Sequence, residues 1–78
     1  MNREEILEAL KESVISLKDD QEKFRSEPDF LAAWQKRQQA TGIESKKLSA
    51  EDKAWMEAEY NTWFQAEILP VIDPSLLP

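Results

Sequence analysis

The sequence predicts an all-α fold: a small three-helix bundle followed by an extended, proline-rich C-terminal tail. Three observations lead there. The chain contains one glycine in 78 residues and is rich in Ala, Glu, Lys and Gln, residues that lose little on entering a helix. Its apolar residues recur at spacings of three and four, the helical period. Helix-start signals precede each apolar stretch, and Gly or Pro follows it. The predicted helices cover about residues 3–25, 27–41 and 50–68, which gives a helical domain over residues 1–69 and an apolar tail over residues 70–78.

The first helix opens at "NREEI", where Asn2 can cap the free amides and Glu5, three residues on, can return the bond as a capping box. Leu7, Leu10, Val14, Leu17, Gln21 and Phe24 then form a heptad, with Ile6 on the same side and Gln21 as its one polar member. Glu8, Glu12, Asp19 and Lys23 fall opposite. Pro28 biases Glu27 away from helical dihedrals, so this helix is expected to stop near Arg25.

"SEPD" also starts the second helix, with Ser26 as cap, Pro28 in the first turn and Asp29 three after the cap. Phe30, Leu31 and Trp34 line one side, and Arg37, Gln38 and Thr41 continue that side in polar form. Gly42 is expected to end the helix as its left-handed C′ residue, with Ile43 making the hydrophobic contact beyond it. After the polar "ESKK", Ser49 caps a third helix with Asp52 three residues later, and Pro70 ends it. Three prolines among the last nine residues keep the remainder out of a helix.

Two mismatches shape the functional expectation. At 1.5 Å per residue the three helices would measure about 34, 21 and 28 Å, so the middle one would fall short of its neighbours. On a wheel of about 100° per residue, Met56, Tyr60, Trp63, Phe64 and Ile68 occupy an arc about 140° wide. Trp55, Ala54, Ala58, Ala66 and Leu69 lie outside that arc, so apolar character runs nearly round the helix. Something is expected to cover the excess. The tail can fold back, because nine extended residues reach up to about 28 Å; self-association or a protein partner can do the same.

Charge and composition exclude much else. Sixteen acids against ten bases give a net charge of −6, which opposes nucleic-acid binding. Residues 54–78 carry four acids and no base, a segment suited to an apolar partner surface with a basic rim. There is no histidine and no cysteine, hence no disulfide, no thiolate or imidazole metal site and no Ser–His or Cys–His nucleophile. Ser13, Ser16, Ser45, Ser49 and Ser75 sit in no catalytic motif, and no Gly-rich phosphate loop or EF-hand loop is present. No run of about 18 apolar residues and no signal peptide appears, which predicts a soluble, cytoplasmic protein.

The expectation is therefore a non-enzymatic protein-binding module, without cofactor, metal, membrane or evident small-molecule substrate. Its contact residues are expected to be Trp55, Tyr60, Trp63, Phe64, Val71, Ile72, Leu76 and Leu77, because Trp and Tyr dominate interface energetics. The alternative is an anionic mimic that blocks a basic site through Glu4, Glu8, Glu12, Asp19 and Asp20, a mode that weakens steeply with salt. A carboxylate-only enzyme ranks last, because it needs acids gathered in a pocket with raised pKa values.

Overall fold

The computed structural model describes residues 1–76, without the side chain of Leu76. Among the described residues there are four α-helices and no strand: α1 (Arg3–Asp19), α2 (Gln21–Ser26), α3 (Pro28–Lys46) and α4 (Ala50–Trp63), with α4 continuing into a π-helical turn over Phe64–Ile68 and a 3-10 turn closing at Pro74–Leu76. The chain is an all-α bundle. Met1 lies beside Glu44 and Arg3 beside Asp52, so α3 runs antiparallel to α1 and α4 runs parallel to it. Helix α1 is the middle element, packed on α3 along one side and on α4 along the other. The molecule is flattened, 38 × 26 × 17 Å, with a radius of gyration of 13.0 Å, against about 11.5 Å for a compact chain of this length.

Local chemistry sets most helix ends. Asn2 accepts the Glu5 amide at 2.8 Å, and Glu5 accepts the Asn2 amide at 3.1 Å, closing the capping box. Ser49 caps α4 by accepting the Asp52 amide at 3.1 Å. The helical run that begins at Ala50 ends at Ile68, the span expected from Pro70.

Three boundaries differ from expectation. The first helix does not run unbroken to Arg25, because the chain bends at Asp20 (φ −113°, ψ 37°) and restarts as α2. The bend is satisfied by a side chain: Gln21 Nε2 donates to the Lys18 carbonyl at 2.8 Å. It turns Phe24 inward against Phe30 and Trp34, with ring centroids 4.9 and 5.3 Å away. Second, Ser26 does not cap α3. Its hydroxyl bonds back to the Glu22 carbonyl inside α2, and Glu27 holds the cap position without a side-chain bond.

Third, Gly42 does not stop α3. It has no positive φ, and the helix runs on to Lys46. A glycine inside a helix costs only about 1 kcal/mol relative to alanine. Beyond it, Glu44 pairs with Lys47 and the chain's amino terminus, and Ser45 donates to the Gly42 carbonyl. At about 28 Å, α3 is as long as its neighbours, so the expected shortfall in the middle helix does not exist.

The core lies in two clusters along α1. The upper one buries Val14, Leu17, Phe24, Ile68 and Ile72, flanked by Phe30, Leu31, Trp34, Tyr60, Trp63 and Phe64. The lower one buries Ile6, Leu7 and Met56, flanked by Leu10, Leu48, Trp55 and Tyr60. Helix α3 contributes no buried residue at all. Past Trp34 its inner side is Gln38, Thr41, Gly42 and Ser45, all partly exposed.

Candidate functional site

The π turn decides what the end of α4 presents. With 100° steps, Ile68 would stand about 120° round from Met56, off the α1 side. Instead the Leu69 amide reaches back five residues to the Phe64 carbonyl at 2.9 Å. The widened turn swings Ile68 inward, where it is 0 % exposed. The Val71 and Ile72 amides both donate to the Ile68 carbonyl, at 3.0 and 2.9 Å, and this tight turn returns Ile72 to the core at 6 % exposure. Asp73 fixes the chain just beyond: its amide donates to Gln21 Oε1 at 3.1 Å, and its carboxylate pairs with Arg25 and accepts the Ser75 amide. Those hydrogen bonds from Ser75, with the Arg25 charge behind them, hold the Asp73 carboxyl below its ordinary value.

Between the two anchored isoleucines, Leu69 and Val71 face solvent at 52 and 57 % exposure, on either side of the exposed Pro70. The result is an apolar knuckle on a hydrogen-bonded turn. It adjoins the outer side of α4, where Ala54, Ala58, Thr62 and Ala66 are exposed. Exposed Glu67 stands nearby.

The predicted contact residues separate into two groups. Tyr60, Trp63 and Phe64 pack against the upper cluster, with Tyr60 tilted on Trp63 at 5.9 Å and stacked on Phe64 at 5.8 Å. Burial raises the Tyr60 hydroxyl above its ordinary pKa. Trp55 packs on the lower cluster beneath the Arg3 guanidinium, 4.2 Å from its ring centroid, and the Lys11 ammonium sits 5.6 Å from that of Trp63. Ile72 is core. Val71 is presented to solvent, joined by Leu69, which lies outside the apolar arc of an ideal helix and is not among the expected contact residues. Leu76 lies in the 3-10 turn with its side chain outside the described residues, as is all of Leu77.

The acids of the alternative reading lie along α1, with Asp20 at the bend that ends it. Glu4 pairs with Arg3 and Asp19 with Lys18, whereas Glu8 and Glu12 are exposed, Glu12 at the edge facing α3. Among the described residues no group of three or more acids is placed to hold a metal ion, and no helix is long and apolar enough to cross a membrane. A second surface feature, unforeseen from the sequence, is a cleft of about 260 Å³ between α1 and α3, lined by Ala9, Glu12, Ser13, Arg37, Ala40 and Thr41.

No family model, curated protein or solved structure matches the chain.

Proposed function

We propose that this chain is a non-enzymatic protein-binding module whose contact surface is the Leu69–Val71 knuckle together with the adjoining outer side of α4. One observation carries the reading: two aliphatic side chains are held in water by a turn that buries the isoleucine on each side of them. Single exposed aliphatics are ordinary on protein surfaces. A pair carried on a hydrogen-bonded turn between two buried residues has less backbone freedom to lose when a partner covers it.

Charge narrows the partner. From Ala54 onward the chain has acids and no base, and among the described residues Glu57, Glu59 and Glu67 enter no ion pair. A second copy meeting this surface would bring like charges together. An apolar patch rimmed by Lys or Arg complements it.

The test is the double variant Leu69→Ser, Val71→Ser. Neither side chain is in the core, so thermal stability should change by no more than about 0.5 kcal/mol. Proteins enriched by the wild-type chain should be lost, and affinity for the purified partner should fall by roughly tenfold or more, the weight of two apolar anchors. A variant that keeps every wild-type partner at full affinity removes the knuckle as the contact site.

A further inference from the structure

The cleft between α1 and α3 has opposite charges on its two walls. Ala9, Glu12 and Ser13 come from α1 at helical spacing; Arg37, Ala40 and Thr41 come from α3 at the same spacing. The small residues leave a gap where larger ones would have closed the seam. Above the gap the Trp34 indole N–H donates to the Ser13 carbonyl at 3.0 Å and fixes the two helices to each other. Among the described residues neither Glu12 nor Arg37 enters an ion pair, although both line the same cleft.

Ser13 supplies an independent observation. It is the one buried polar residue among those described, at 8 % exposure, and it lines the cleft. Among the described residues its hydroxyl makes no hydrogen bond, unlike Ser26, Thr41, Ser45 and Thr62, whose hydroxyls bond back to carbonyls of their own helices. Among the described residues no fully buried side-chain nitrogen or oxygen lacks a partner, so the Ser13 hydroxyl keeps some exposure, in a residue that lines the cleft. A hydroxyl without a partner on the cleft wall is free to donate and accept a hydrogen bond there.

We infer that this cleft binds a small zwitterion, a molecule carrying one carboxylate and one ammonium group. Arg37 offers its planar fork of N–H donors to the carboxylate. Glu12 accepts from the ammonium, and Ser13 bonds whichever polar end reaches its hydroxyl. At about 260 Å³ the cleft is smaller than sites for drug-sized ligands, which begin at about 300 Å³. The occupant is therefore of amino-acid size. An open cleft with so few polar contacts gives weak binding, with a dissociation constant on the order of 1 mM.

The experiment is a 1H–15N correlation titration of the full chain at constant ionic strength. The probes are glycine, 4-aminobutanoate and 6-aminohexanoate, whose charges are progressively further apart, with acetate and ethylammonium as singly charged controls. Saturable shifts at the amides of Ala9, Glu12, Ser13 and Arg37, strongest for one probe length, are the expected result. Arg37→Gln and Glu12→Gln, both exposed positions, should each weaken binding by roughly tenfold without lowering the melting temperature. Ala40→Leu, which fills the cleft, should abolish it. Shifts that rise linearly to about 50 mM, equal binding of acetate or ethylammonium, or wild-type binding by all three variants would overturn the assignment.

Discussion

The two ends of α1 are closed by different means. At the upper end, side chains from α1, α2, the π turn and the segment after it meet around Phe24, whose ring takes Phe30 and Trp34 edge-on. At the lower end only Ile6, Leu7 and Met56 are buried, and α3 passes them with Gln38, Thr41, Gly42 and Ser45. Several elements interlocked around one cluster leave little room to relax, whereas two helices beside a polar third can close over a loss. The upper end should therefore carry more of the stability, and the lower end should open first.

Ile68→Ala puts this contrast to its hardest test. A fully buried isoleucine held by a π turn cannot be replaced by collapse of its neighbours, so the loss should sit near the upper end of the usual range, about 4 kcal/mol by urea denaturation. That is a large share of the roughly 4–12 kcal/mol expected for a domain of this size. Met56→Ala, at the other end, should cost about 2 kcal/mol, because the loosely sheltered site can close over the gap. Equal losses at the two positions would break the comparison.

Gly42→Ala sharpens it from the opposite direction. A Cβ at this position meets nothing within 4 Å and the backbone is already helical, so the variant should gain about 1 kcal/mol. Native-state hydrogen exchange should show the gain chiefly in amides of the lower half of α3. A loss of stability would mean that the glycine answers some need the fold does not reveal.

The smallest effect is on acid stability. Asp73 titrates below its ordinary value of 3.8 in the folded chain, so the folded state binds fewer protons than the unfolded one as pH falls. Its contribution is complete above 3.8 and disappears as pH drops through the lowered folded value. Exchange of the Ile72 and Asp73 amides should speed up in that window, and Asp73→Asn should flatten the dependence. With no histidine in the chain, stability should be level between about pH 6 and 8.

What the sequence revealed follows the range of the interaction involved. Two of the three expected caps formed, Asn2–Glu5 and Ser49–Asp52, each a contact over three residues; the third failed because the Ser26 hydroxyl bonds back to the Glu22 carbonyl. The α1 core was legible for the same reason: a heptad is a local pattern. The bend at Asp20 was hidden because its satisfaction involves Gln21, whose other amide atom is taken by Asp73, 52 residues away. Gly42 misled because the contacts that accompany the helix past it include the pair between Glu44 and the amino terminus, 43 residues apart in sequence. The knuckle was half visible. Val71 was named, but Leu69 was set aside on a wheel with 3.6 residues per turn that the π turn does not obey. The cleft left no signature, since small residues on separate helices announce a gap only once the helices are aligned.

Gln21, the lone polar member of an otherwise greasy heptad, is a two-handed clasp. Its nitrogen donates a hydrogen bond to the Lys18 carbonyl and its oxygen accepts one from the Asp73 amide, so the elbow between the first two helices and the docking of the final segment share a single carboxamide. Glutamate keeps the accepting hand and loses the giving one; lysine does the reverse; asparagine has both but is a methylene short. Tolerance to substitution at this half-exposed position should be as narrow as at any buried aromatic, for reasons of valence and reach rather than of volume.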